Sequence, residues 1–434
     1  MIALCWLRRD LRLNDQAALY HALRSGFPVV PVFVFDTNIL DDLEDKADRR
    51  LQFIHDALEN IQLQLKPLKS TLDVFSGTPE AAFRHWMQKY PLKAVYTNHD
   101  YEPYARNRDA AVAKLLEAGG ISFHSYKDQV IFEQNEVVKD NGEPYTVFTP
   151  YSKKWLSKLD DRHLRSYPTE EYHTVFYQQE VIPVPSLRSI GFEETVRNFP
   201  DSTPEDALIR HYDKTRDYPA EQGTSRLGVH LRFGTISIRA LARKARQLNQ
   251  TYLKELIWRE FYQMILSHFP HLVHRSFRPA YDAIQWRNNE EEFARWCRGA
   301  TGYPIVDAGM RELNATGFMH NRVRMITASF LTKHLLTDWR WGEAYFAQKL
   351  LDYELASNNG NWQWAAGSGC DAAPYFRVFN PALQTEKFDK GLEYVRRWVP
   401  EMDEPAYMSS AIIAHDAARQ RALEVYGKAL KNEG

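Results

Sequence analysis

The hydrophobic period changes once along this 434-residue chain, and that change limits the folds open to it. Over the first 130 residues, short β-branched runs alternate with amphipathic stretches. The runs 2–7, 29–35, 72–75, 94–97 and 122–126 read as strands, and 15–25, 46–66, 79–89 and 104–118 as helices. Such alternation predicts a Rossmann-like α/β domain over 1–130, a parallel sheet with helices on both faces. Ligands of these sheets gather at the carboxyl ends of the strands, where the strand order reverses. The first strand runs into LRRDLRLND at 7–15 and not into a glycine-rich turn, so a dinucleotide held in the usual way is not expected there.

From 131 to 200 the period is lost and Pro, Tyr and polar residues accumulate, as in VIPVPSLRS, which predicts an interdomain connection with a short helix near 153–158. Beyond 200 the helical period dominates, at 205–217, 226–247, 251–268, 290–298, 304–316, 319–336, 341–355 and 411–430. An all-α domain is therefore expected over 201–434.

Charge is unevenly spread. Residues 205–400 carry 27 Lys and Arg against 21 Asp and Glu, a net of +6, whereas residues 1–204 carry 24 against 29. The basic segment suits an anionic partner such as nucleic acid, and equally a solvated face. Eight of the 11 Trp lie beyond residue 200, which reads either as core filling or as a chromophore or base-stacking site. Cys5, Cys297 and Cys370 offer neither a disulfide framework nor metal-ligand spacing, so no metal is expected and redox chemistry would need a cofactor. No apolar run approaches the roughly 18 to 20 residues of a membrane helix, and MIALCWLRRD has no cleavage region; the expected compartment is the cytosol.

Four clusters in the helical half carry chemistry: TSRLG at 224–228, ELIWREFY at 255–262, TGYPIVDAGMRELNATGFMHNRVRM at 301–325 and LLDYELASNNGNWQWAAGSGCDAAPYFRVFNP at 350–381. On a helix Glu255, Trp258, Arg259 and Tyr262 share a face, as do Asn321, Arg324 and Met325. Thr224 and Ser225 read as helix N-caps, or as hydroxyls that hold a phosphate with Arg226 adding charge.

Together with WLRRDLRLND at 6–15, these stretches resemble the cryptochrome and photolyase flavoproteins, most nearly the class I cyclobutane pyrimidine dimer photolyases of bacteria. The likeness covers essentially the whole chain. It implies an α/β antenna domain and a helical domain that binds FAD, working as the reduced anion. A dimer flipped out of UV-damaged DNA would receive one electron from the photoexcited flavin, split into two pyrimidines and return the electron. A monomer in the bacterial cytosol, associated with DNA, is implied.

By the same resemblance, Tyr212, Thr224, Ser225, Arg226, Leu227 and Gly228 match the phosphate side of the FAD site, with Gly228 where relatives commonly have Ser. Arg324, Asp352, Glu354 and Asn358 match residues around the ribityl chain and ring; Glu354 stands where relatives usually have Asp. A buried anionic ring needs a nearby cation, which Arg324 would supply, and Asn358 would face ring nitrogen N5. Trp286, Trp339 and Trp362 match a chain of indoles for flavin photoreduction. Trp258 and Trp364 match the walls of the lesion pocket, and Glu255, Asn321 and Met325 match residues that touch the lesion, with Glu255 able to donate to a base carbonyl. Arg216, Arg259, Arg322 and Arg377 sit in stretches that supply DNA contacts.

Two alternatives share the flavin site. A (6-4) photolyase would carry a histidine pair where Asn321 and Met325 stand, and a blue-light cryptochrome would often add a long C-terminal extension. A second, antenna chromophore is implied, of deazaflavin or flavin type in preference to methenyltetrahydrofolate, because Tyr104 and Ala105 stand where the folate pattern has Asn and Glu.

Overall fold

The computed structural model describes residues 1–372 and 374–431. The chain folds into two compact units, one made of 1–136, 155–204 and 226–247, the other of 137–154, 205–225 and 248–434.

The first unit is built on a five-stranded parallel sheet in the order β3-β2-β1-β4-β5, with β1 Ile2–Leu7, β2 Val29–Asp36, β3 Asp73–Gly77, β4 Leu92–Asn98 and β5 Ser122–Tyr126. Every residue of β1 and β2 is buried, as expected for inner strands covered on both faces, whereas the outer β3 and β5 are only partly so. Pro31 is tolerated inside β2 because pairing with β3 begins one residue later, at Val32. Helices Ala17–Leu23, Arg49–Leu65, Pro79–Lys89 and Pro103–Ala118 fill the connections. The predicted α/β class is thus observed.

The LRRDLRLND run closes this unit internally. Arg12 and Arg239 converge on the buried Asp128, at 2.7 and 2.8 Å, and Arg239 also reaches Asp15 at 2.9 Å. Burial alone would raise the Asp128 carboxyl, yet the two guanidiniums hold it below its ordinary range. The region expected to form one helix over 226–247 is two, Gly228–Phe233 and Ile238–Leu248. They part at Gly234, whose φ is +62° and where a Cβ would lie 2.0 Å from the Arg9 carbonyl oxygen. The units therefore cut the chain differently from the expected boundaries at 130 and 200. Residues 155–204 return to the sheet unit, where Tyr177 N donates to the Val29 carbonyl at 2.8 Å.

The second unit is helical, apart from its connections and loops, around a core that includes Trp296, Phe330, Trp339 and Trp362. Asn289 caps Glu290–Arg298 and Gly299 ends it in the left-handed conformation, the bounds read from sequence. The expected 319–336 helix is Asn321–Ser329 followed by one π-helical turn, Phe330–His334. Leu355–Ala366 is a helix that the period did not pick out: Asn358, Asn359, Gly360 and Asn361 are poor helix formers in succession. Tertiary bonds override them, with Asn359 Nδ2 and Gln363 Nε2 both donating to the Leu272 carbonyl.

Candidate functional site

Three segments of the second unit, Asn321–Ser329, the 350–354 turn and Leu355–Ala366, line a cavity. Asn321, Arg324, Met325, Asp352, Glu354, Asn358, Trp362 and Trp364, all singled out from sequence, line it, together with apolar Ala328, Phe346 and Leu350. A polar rim over flat apolar walls is the chemistry a heteroaromatic ring requires.

Its charge is set by Arg324, whose Nη2 reaches both Asp352 carboxylate oxygens at 3.1 and 2.9 Å while Nε donates to the Met319 carbonyl at 2.7 Å. Asn358 Nδ2 donates to the Glu343 backbone carbonyl at 3.1 Å and to Glu343 Oε1 at 2.9 Å. A backbone carbonyl can only accept, so the amide nitrogen must face Glu343 and Oδ1 is left on the other side. Burial pushes the Glu343 carboxyl up, partly offset by the Asn358 bond.

Glu354 is engaged by protein. Arg259 Nη2 and Gln263 Nε2 donate to its Oε1 at 3.0 and 2.9 Å, and Ser357 Oγ donates to Oε2 at 3.1 Å. Arg259, expected among the DNA contacts, has a side chain nine-tenths buried and paired with Glu354.

A second cluster holds Glu255, Arg216 and Tyr212. Arg216 Nη1 and Glu255 Oε1 are 2.5 Å apart, and the Arg216 guanidinium lies 5.4 Å from the Tyr212 ring centroid. Burial raises the Glu255 carboxyl, and Arg216 works against that shift. Asp217 joins the two clusters: 3.9 Å from Arg216 Nε, it takes Arg322 Nη2 at 2.7 Å, and Arg322 lies beside the Met325 sulfur. Ser225 Oγ is 2.8 Å from the Tyr252 hydroxyl, and Tyr252 packs edge-on against Tyr212. Neither Ser225 nor Thr224 caps a helix: the N-cap of Gly228–Phe233 is Leu227, without a side-chain bond. The TSRLG run crosses the units, Thr224 and Ser225 belonging to the second, Arg226, Leu227 and Gly228 to the first.

Trp258 stacks on Phe148, ring centroids 3.6 Å apart and planes within 5°. Trp362 lies over Gly342, where a Cβ would come within 2.1 Å of its ring, and Trp339 is three residues earlier on the same helix, Trp339–Lys349. Trp286 follows by backbone contact: Arg287 N donates to the Leu336 carbonyl at 2.8 Å, just before Trp339. Trp339 and Trp362 are buried, and Trp286 is partly buried against the same core. Arg377 is exposed. His320 caps Asn321–Ser329 through Nδ1, and burial with Arg324 and Arg322 nearby lowers it to about 4, so it stays neutral.

Sequence reasoning missed Phe148, Asp217 and Glu343. Asp217 sits in YDKTRDY beside Arg216 and was within reach of it, whereas nothing local marks Phe148 or Glu343 as neighbours of Trp258 and Asn358.

Comparison with known proteins agrees along the chain. Residues 3–171 match the family DNA photolyase, and residues 252–431 match FAD binding domain of DNA photolyase. The chain is 39% identical over 428 residues to a deoxyribodipyrimidine photo-lyase of Synechococcus sp., covering 92% of this chain and 88% of that one. It is similar in structure to a bacterial class III photolyase from Agrobacterium tumefaciens, with TM-score 0.87, 34% identity and coverage of 99% and 98%. An archaeal photolyase from Sulfolobus tokodaii with two FAD molecules superposes with TM-score 0.83 at 33% identity, covering 99% and 100%.

Proposed function

The chain belongs to the DNA photolyase family, and on that premise we propose that its helical unit repairs pyrimidine dimers in DNA by light, with FAD as cofactor. The observation that carries the reading is the convergence of the Arg324–Asp352 pair, Asn358, Trp362 and Trp364 on one cavity. When bound, FAD supplies the light-absorbing one-electron donor. The residues present suit it: a cation held in place by a carboxylate, an amide of fixed orientation, and apolar walls.

In this reading Arg324, oriented by Asp352 and the Met319 carbonyl, offsets negative charge on a reduced, anionic ring. Asn358 presents an acceptor and not a donor to its neighbour, because both amide hydrogens are committed to Glu343. Trp286, Trp339 and Trp362 carry electrons inward along the route from Arg287 to Gly342. Tyr212, Thr224, Ser225, Arg226, Leu227 and Gly228 would hold the phosphate side of the cofactor.

Asn321, Met325, Trp258 and Trp364 would bound a dimer flipped from the duplex, a base pair that is already poorly stacked being cheaper to extrude. Glu255, its carboxyl raised by burial, can hold a proton for a base carbonyl as negative charge develops there. Arg216, Arg322 and Arg377 would neutralise flanking phosphates, giving a salt-dependent affinity. Asn321 and Met325, standing where a (6-4) enzyme would carry a histidine pair, favour cyclobutane dimers over (6-4) photoproducts.

The motifs favour class I, while one similar solved structure is a class III photolyase at 34% identity. A deazaflavin or flavin antenna suits the first unit, where the Tyr104 hydroxyl donates at 2.6 Å to Asp36, the last residue of β2. Among the described residues no helix is long and apolar enough to cross a membrane.

The test is illumination of purified, FAD-loaded, chemically reduced protein with DNA containing cyclobutane dimers, beside a dark control and a (6-4) substrate. Light-dependent loss of the cyclobutane lesion alone is expected; reduced flavin without repair would overturn the reading. Extraction of natively bound chromophores decides the antenna, and methenyltetrahydrofolate in the extract would reverse that part. Sedimentation should return a monomer.

A further inference from the structure

Lys333 is 1% exposed and sits in the π-helical turn Phe330–His334. A buried ammonium is costly to the fold, and a methionine of similar length would fill the same space without that cost. The π turn is what aims it: Leu335 N reaches back five residues to the Phe330 carbonyl at 3.1 Å, which rotates the following side chains away from their α-helical directions. Lys333 Nζ donates to the Arg377 carbonyl at 2.8 Å.

Arg377 lies in a turn that is fastened on its inner side and open on its outer side. Arg377 N donates to the Pro374 carbonyl at 2.9 Å, the Tyr375 ring is parallel to Tyr426 with centroids 6.1 Å apart, and Val378 packs on the cluster around Tyr281 and Leu336. Phe376, by contrast, is 61% exposed, and the Arg377 side chain is exposed and lies 5.5 Å from the Phe379 ring. With its carbonyl drawn inward to Lys333, Arg377 has its guanidinium left outside.

We propose that Lys333 is a positioning residue for DNA binding: its buried ammonium fixes the 374–378 turn so that Arg377 is presented in one geometry to the damaged strand. This rests on the reading that the chain binds dimer-containing DNA. A buried cation bonded to a surface turn is explained when the turn has a partner, since pre-ordering removes a cost from association.

The experiment compares the FAD-loaded wild type with Lys333→Met, Arg377→Gln and the double variant, measuring affinity for dimer-containing duplex, melting temperature and photorepair rate at saturating DNA. Lys333→Met is expected to melt at or above the wild-type temperature, to bind about tenfold more weakly, and to repair bound substrate at the wild-type rate. The double variant should bind no more weakly than Arg377→Gln, because Lys333 acts through that residue. Lys333→Gln keeps a donor and serves if the Met variant does not fold; it should hold affinity within about threefold. Unchanged affinity in Lys333→Met, additive losses in the double variant, or a fall in melting temperature and FAD content matching the loss of binding would each overturn the proposal. A wild type that holds FAD yet ignores dimer-containing DNA would overturn the proposed function itself.

Discussion

Replacing Glu343 by Met tests whether a buried acid decides which way the Asn358 amide points. In the structure Nδ2 spends its two hydrogens on Glu343, at 2.9 Å to the carboxyl and 3.1 Å to the carbonyl. A reversed amide would set Oδ1 against two oxygens. Each bond contributes about 1 kcal/mol net, and a bond to a charged acceptor about 1.5 to 3, so the present orientation is favoured by about 2 to 4 kcal/mol. Methionine removes the carboxyl and leaves the single carbonyl bond, lowering the preference to about 1 kcal/mol.

In the proposed site an outward Oδ1 would accept a hydrogen from N5 of a reduced ring and would oppose the N5 lone pair of an oxidised one. Freeing the amide to turn should therefore stabilise the oxidised form by about 1 kcal/mol, which for a two-electron couple is a fall of about 20 mV in midpoint potential. The assay is a reductive titration of the FAD-loaded protein against a dye of known potential, followed by flavin absorbance. Glu343→Gln keeps an acceptor in place and should stay near wild type. The reasoning fails if Glu343→Met leaves the potential unmoved, or if Gln shifts it as far as Met does.

Trp362→Phe should abolish light-driven reduction of the oxidised flavin and spare repair by chemically reduced protein; photoreduction at the wild-type rate would remove Trp362 from the electron route. Gly342→Ala puts a methyl group within 2.1 Å of the Trp362 ring, and calorimetry should record a loss of at least about 2 kcal/mol with disturbed photoreduction. The third expectation concerns pH. Burial and the nearby charge of Arg377 lower Lys333 to about 8, below the ordinary value of an unfolded lysine near 10.4. Between those values the unfolded chain binds more protons, so wild-type stability rises with pH relative to a variant without the amine. Any stability advantage of Lys333→Met, at most about 3 kcal/mol near pH 7, should shrink as the pH rises from 8 to 10. A constant gap across that range would show that the ammonium does not titrate there.

What the sequence made legible is local chemistry. Thr78 caps and Pro79 opens Pro79–Lys89, and Asn289 and Gly299 bound Glu290–Arg298, so those helices were readable to the residue. The sheet was readable because inner strands such as VVPVFVFD are apolar up to the closing Asp36. Leu355–Ala366 was not, because its three asparagines and glycine are chosen for what they touch across the fold and not for helix propensity. The π turn was hidden for a related reason, since one residue of slippage leaves no mark on a 3.6-residue pattern read over 319–336. The cavity residues were named through resemblance, but their second partners, Glu343 for Asn358 and Arg259 for Glu354, came only from the geometry.

The Arg239 bridge also bears on how this protein is made. Asp15 leaves the ribosome early, yet Arg239, the guanidinium paired with its carboxylate, is encoded more than two hundred residues later, whereas Asp128 already has Arg12. Until it arrives, a nascent sheet must keep the Asp15 carboxylate solvated and leave Asp128 with one of its two guanidiniums, so its final closure waits on translation passing the midpoint of the message. A fragment ending near residue 200 would reproduce that waiting state permanently, and should populate a looser, protease-sensitive form even with all five strands present.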